Sequence, residues 1–193
     1  ISRNKVLLKS SIFYMHRDNP QLRLFIQNNT NYPTYFDYAA FNGSASYTYG
    51  FESNISYEFS SIFIFNSSIS LLENHLGVFY FDETGDGTDE KFGNRSGSHS
   101  PKLSLLLGTT IKITSTISLN FDGNYKDEFY FDEQNDHKSK SYTLLNGSLV
   151  YQKNKFSLSI WGKNILDTRY ATRGFYFGNE PIWNEALQDH EYI

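Results

Sequence analysis

"SYTYGFESNISYE", residues 46–58, alternates almost without fault. Tyr47, Tyr49, Phe51, Ile55 and Tyr57 fall on odd numbers; Ser46, Thr48, Gly50, Glu52, Asn54, Ser56 and Glu58 fall on even ones. A period of two marks a β-strand with one apolar and one polar face. In a soluble β-protein the apolar face lines a core. In a transmembrane barrel it meets lipid, and the polar face lines the lumen. Which of the two holds decides the fold.

Working outward, the pattern recurs. Seven long strands are predicted, over 5–16, 46–58, 62–75, 102–111, 116–130, 141–151 and 156–163, with the first resuming over 22–27. Short links join the second to the third ("FSS"), the fourth to the fifth ("KITS") and the sixth to the seventh ("QKNK"). The other links are long: 17–45, 76–101, 131–140 and from 164 onward. Short and long connections take turns. A β-sandwich follows no such rule, whereas an up-and-down transmembrane barrel has short periplasmic turns on one rim and long extracellular loops on the other. Strand length agrees. Soluble strands usually run about 5–6 residues, and a tilted strand needs about 9–11 to cross a bilayer.

The fifth strand shows the faces most cleanly. Ile117, Leu119, Phe121, Gly123, Tyr125 and Phe129 oppose Thr116, Ser118, Asn120, Asp122, Asn124, Lys126 and Glu128. Its polar side is mostly small and neutral, unlike the Lys/Glu mix of a soluble sheet. Charge and aromatics gather at one end, in "YKDEFYFDE", as they do where a strand leaves a membrane. Composition fits: 15 Tyr and 17 Phe stand against four Pro, favouring strands. The net charge of −4 argues against a non-specific grip on nucleic acid. With no cysteine there is no disulfide framework and no thiolate metal site. No apolar run approaches the 18 or so residues of a membrane helix. The opening "ISRNKVLLKSS" lacks the apolar stretch of a signal peptide.

The stretch "FSLSIWGKNILDTRYATRGFYFGNEP", residues 156–181, resembles the C-terminal barrel region of TonB-dependent outer-membrane receptors. The match centres on residues 164–170, "NILDTRY", like the family's N-L-F-D-x-x-Y. "YGFESNISYEF" and "HSPKLSLLLGTTI" resemble strands flanking a periplasmic turn and a long loop of the same barrels. The resemblance implies an all-β, antiparallel segment of about seven strands from a 22-stranded barrel in the bacterial outer membrane. It implies uptake of a scarce ligand such as an iron–siderophore, cobalamin or a carbohydrate, with no bond change and no cofactor. Its implied partners are outer-membrane lipid and lipopolysaccharide, a plug domain, TonB and the small-molecule ligand. Against the family pattern, the plug and the closing strand are absent, so the reading is a partial barrel domain over 1–193. A secreted β-sandwich that binds carbohydrate is the alternative. An outer-membrane hydrolase lacks a visible nucleophile–base pair.

Candidate contacts follow. Tyr130 and His137 lie near the top of the fifth strand, and Arg169, Arg173 and Tyr176 lie in the final loop among Tyr170, Phe175 and Phe177. Guanidinium and aromatic groups suit anionic or planar ligands, lipopolysaccharide phosphates, or packing of the loop on itself. Glu52, Asn120 and Asp122 are expected on the lumen face toward the plug, with Glu52 hydrated, paired to a neighbouring Lys or Arg, or touching the plug. The five histidines are dispersed and form no metal motif. Residues 81–94, "FDETGDGTDEKFGN", match the first half of a calcium loop, but Gly93 stands where the bidentate Glu should be. A solvated acidic loop is the expectation there.

Overall fold

The computed structural model describes residues 5–26, 37–174, 182–184 and 189–191. Its strands, in chain order, are β1 (Lys5–Arg17), β2 (Gln21–Ile26), β3 (Asp37–Asn42), β4 (Ser46–Glu58), β5 (Phe63–Leu76), β6 (Phe79–Phe81), β7 (Glu90–Phe92), β8 (Arg95–Ser96), β9 (Leu103–Lys112), β10 (Ile117–Lys126), β11 (Phe129–Tyr130), β12 (Lys138–Ser139), β13 (Tyr142–Lys153), β14 (Phe156–Gly162), β15 (Ile182–Asn184) and β16 (Asp189–Glu191). Among the described residues there is no helix. Seven long strands pair in the order β1-β4-β5-β9-β10-β13-β14, an antiparallel meander, with β8 attached to β5.

The register carries each face across the sheet. Directly opposed residues share a face. One row reads Leu8, Ile55, Ser67, Leu107, Gly123, Leu145. A row on the other face reads Leu7, Ser56, Asn66, Gly108, Asp122, Asn146. The first face is apolar from β1 to β14, and much of it is open: Ile12 is 84% exposed, Ile160 66% and Leu158 53%. No second sheet lies over it among the described residues, so nothing clasps Ile55 or Leu158 as a sandwich would. The second face is polar, with apolar intruders at Leu7, Leu106 and Trp161. Two hydroxyls that interrupt the apolar face satisfy each other: Ser10 Oγ and Ser53 Oγ share a 2.9 Å hydrogen bond across β1 and β4.

The tight links behave as read. At the β4–β5 turn Ser60 Oγ accepts from the amides of Ile62 and Phe63. At β9–β10, Thr114 Oγ1 accepts from Thr116 and Ile117. At β13–β14, Asn154 takes a left-handed backbone (φ +54°), which Asn tolerates better than most residues.

Two expectations need correction. The fifth strand does not run unbroken to Tyr130; β10 stops at Lys126. There Asp127 Oδ1 accepts from the amide of Glu128, and the chain leaves the sheet. Phe129 and Tyr130 then form β11, which pairs with β12 instead of extending the wall. The buried Phe129 ring packs on His99 and Phe131, so it joins the loops and not the apolar face of the sheet. The continuation over 22–27 is also not part of the wall: β2 pairs only with β3.

The hydrophobic core is small and lies off the wall. Leu24, Leu76 and Phe79 are buried together, flanked by Leu22, Phe41, Phe81 and Phe92. These residues come from the β1–β4 and β5–β9 connections and the end of β5. The long connections are therefore structured, each carrying a two-stranded hairpin: β2–β3, β6–β7 and β11–β12.

Candidate functional site

The polar face and the rim of long loops are the two places where polar side chains converge. On the polar face, hydrogen bonds cross between strands. Thr110 Oγ1 donates to Asn120 Oδ1 at 2.8 Å, and Asn120 Nδ2 donates to Ser148 Oγ at 3.1 Å. Asp122 Oδ2 accepts from Asn146 Nδ2 at 2.6 Å and from Asn124 Nδ2 at 3.3 Å. This explains the small amides and hydroxyls there: they satisfy one another across neighbouring strands and, for Asn124 and Asp122, along β10. Glu52 stands exposed between Ser11 and Ser70 and forms no ion pair among the described residues. Both direct neighbours are hydroxyls, so the expected Lys or Arg partner is missing.

At the rim three loops interlock. The tip of the β10–β13 loop, residues 132–136, sits between the other two. Gln134 is buried, accepts from the Phe25 amide at 2.8 Å and donates from Nε2 to the Phe25 carbonyl at 2.9 Å. The same Nε2 donates to Glu83 Oε1 at 2.9 Å. Glu133 Oε1 accepts from both the amide and the hydroxyl of Ser98, at 3.0 and 2.7 Å. Arg95 pairs with Asp136 and donates to the Asp132 carbonyl. Burial, then the nearby Glu90 and Asp132 carboxylates, push the Glu83 carboxyl above the usual range. Arg95 Nε and Glu133 Oε2 are buried without a hydrogen-bond partner. Each such group costs about 1–3 kcal/mol.

The predicted contacts sort as follows. Tyr130 and His137 share the β11–β12 hairpin, where the Phe131 amide donates to the His137 carbonyl at 3.2 Å. Tyr130 lies under two cations: Arg95 Cζ is 4.2 Å and Lys138 Nζ 4.5 Å from its ring centre. Arg169 and Arg173 are exposed on a segment laid back against this loop. Tyr170 stacks on Tyr142 at 4.5 Å, and Ser139 Oγ donates to the Ala171 carbonyl. Tyr176 lies outside the described residues. Sequence reading missed Arg95, Lys102 and Lys138. With Tyr130, Ser96 and Ser100, the two lysines line a cleft of about 130 Å³. No local pattern marks them, because the chain distance between Arg95 and Asp136 is 41 residues. The cations are not free: Lys138 bonds Glu128 at 2.8 Å, which raises its pKa, and Arg95 holds Asp136. An anion reaching Tyr130 would have to displace a carboxylate.

The calcium reading of residues 81–94 meets a filled carboxylate. Asp82 accepts from the amides of Gly85, Asp86 and Gly87, at 2.6, 3.1 and 2.8 Å. Its oxygens shape the turn.

The "NILDTRY" element also has a definite job. Asn164, with φ +49°, accepts from the Thr168 amide and donates to the Thr168 carbonyl, both at 3.0 Å. Its own amide donates to Asn146 Oδ1, and the Ile165 amide to the Leu145 carbonyl. The motif ends β14 and turns the chain onto the upper part of β13. A family model described as TonB dependent receptor-like, beta-barrel, matches residues 2–165, from the first strand into this element. The chain belongs to that family.

Three solved receptor structures are similar to it. The siderophore receptor PiuA from Acinetobacter baumannii shares 24% identity over 87% of this chain and 23% of its own, with a TM-score of 0.65. The ferric yersiniabactin uptake receptor FyuA from Yersinia pestis shares 19% over 89% of this chain and 24% of its own, TM-score 0.65. The ferric-catecholate import receptor Fiu from E. coli K12 shares 16% over 86% of this chain and 21% of its own, TM-score 0.60. At these identities the likeness concerns the fold. The chain spans about a quarter of the length of the receptors it matches.

Proposed function

We propose that this chain is a wall section of a bacterial outer-membrane receptor that imports a scarce ligand with energy delivered through TonB, an iron–siderophore being the first candidate. The observation that carries the reading is the long apolar sheet face left open from β1 to β14. Each such Leu or Ile side chain forgoes about 1.5–3 kcal/mol in water; hydrocarbon removes that cost. The polar face then looks into the lumen, where Glu52, Asn120 and Asp122 would meet a plug domain. The tight turns become periplasmic. The loop layer becomes extracellular, with Tyr130, His137, Arg169 and Arg173 near an incoming ligand or lipopolysaccharide. In this role the chain changes no covalent bond.

Two tests separate the parts of this reading. The chain has no cysteine, so Asn54→Cys and Ile55→Cys, adjacent and on opposite faces, report orientation cleanly. In intact cells Ile55→Cys should react with a lipid-dissolved maleimide and Asn54→Cys with a water-soluble one; equal labelling of Ile55→Cys by the water-soluble reagent removes the membrane assignment. For transport, cells lacking the gene should lose growth under iron limitation on one ferric siderophore among a panel. Unchanged growth on every siderophore, on cobalamin and on oligosaccharides would defeat the uptake reading.

A further inference from the structure

We propose that segment 132–136 is a proton-sensitive latch that ties the β10–β13 loop to the other two rim loops and releases it as pH rises. The segment belongs to the β10–β13 loop, yet every strong contact it makes outside itself goes to the other two loops. Gln134 completes the free edge of β2, bonding both the amide and the carbonyl of Phe25. Its remaining Nε2 hydrogen reaches Glu83, next to the β6–β7 hairpin. Glu133 holds Ser98, and Arg95 holds Asp136 and the Asp132 carbonyl. One buried side chain thus touches all three loops, and it is the bond from this segment to β2.

The proton enters at Glu83. It faces Glu90 from β7, whose Oε2 accepts the Glu83 amide at 3.1 Å, and Asp132 from the latch itself. Arg95 is engaged by Asp136 and by the Asp132 carbonyl and forms no ion pair with Glu83. Docking sets Asp132 beside the partly buried Glu83, and burial first, then the Glu90 and Asp132 carboxylates, raise the Glu83 pKa. The sign follows by linkage. The docked form binds the Glu83 proton more tightly than the undocked form. Its advantage is full below the ordinary carboxylate pKa and is lost as pH rises through the raised value. Undocked, the β10–β13 loop moves apart from the other two, which stay packed on each other through Phe41, Phe79 and Phe81. The inference concerns this equilibrium and holds whether or not the ligand is a siderophore.

Hydrogen exchange tests it on the full chain folded in lipid nanodiscs, between pH 5.5 and 8, with intrinsic rates divided out. The Phe25 amide reports the latch directly, and the Leu119 amide in β10 reports the wall. In the wild type, Phe25 protection should fall with pH, by up to about tenfold per unit for one linked proton, while Leu119 stays constant. Glu83→Gln keeps a carbonyl for Gln134 and removes the charge, so Phe25 protection should stay high and flat. Gln134→Ala should leave Phe25 unprotected at every pH with Leu119 unchanged. A flat wild-type profile, an unaltered slope in Glu83→Gln, or a protected Phe25 in Gln134→Ala would each overturn the latch. None of these outcomes bears on uptake, so its failure is distinct from failure of the receptor reading.

Discussion

Leu107→Arg puts the membrane assignment at direct risk. Leu107 is the fifth residue of the ten in β9, a central strand, and is 43% exposed. A strand of that length runs about 33 Å, and at a tilt of about 45° it crosses about 23 Å, close to the hydrocarbon thickness of an outer-membrane barrel. Leu107 therefore sits near mid-depth, in a row with Ile55 and Leu145. Its direct cross-strand neighbours on that face, Ser67 and Gly123, carry no charge to pair with an arginine. An arginine at the midplane of a lipid face costs about 2–4 kcal/mol, a drop of roughly 30- to 900-fold in the folding equilibrium at about 1.36 kcal/mol per tenfold. Asn66→Arg is the control. Asn66 is exposed one pairing step away on the opposite face, between Ser56 and Gly108, and should stay within about 0.5 kcal/mol of wild type. The assay is a reversible denaturant titration of the chain in lipid vesicles, followed by tryptophan emission and gel mobility. Leu107→Arg near wild type together with a costly Asn66→Arg would mean that the faces are assigned the wrong way round.

Two further outcomes follow from the geometry. Asn164→Ala removes both Thr168 hydrogen bonds and puts at φ +49° a residue that tolerates the left-handed region less well than Asn; a loss of about 1–3 kcal/mol should appear as faster proteolysis after β14, and Asn164→Gly should recover the backbone part. Gly50→Ala brings a Cβ to 2.5 Å from the Leu71 carbonyl oxygen and 2.6 Å from the Phe13 ring; a cost of about 1–3 kcal/mol should lower the denaturation midpoint, while Gly123→Ala, with nothing within 4 Å of its Cβ, should leave it nearly unchanged.

Several features were legible because their cause is local. Alternation between faces follows from the pleat of a single strand, so β4 was read to its ends, Ser46 and Glu58. Short and long links showed the meander, since an antiparallel neighbour needs only a tight turn. The "NILDTRY" stretch was legible as a family mark, but its work as a clamp on Thr168 and β13 was not. Where alternation continued past Lys126, it misled. Phe129 keeps the period of the wall, yet it is buried among loop aromatics, because packing with His99 and Phe131 outweighs strand continuation.

The sequence by itself determined the strands, their faces, the order of turns and loops, and the family. The first three rest on periodicity and chain distance, which any stretch carries within itself; the family rests on the resemblance centred on "NILDTRY". Tertiary structure alone decided that the long loops form one layer, that its core is Leu24, Leu76 and Phe79, and that Gln134 ties it together. Gln134 and Phe25 are 109 residues apart, and the bond runs from a side chain to a backbone. Such a contact needs no particular residue type at Phe25, so only the folded chain could bring it into view.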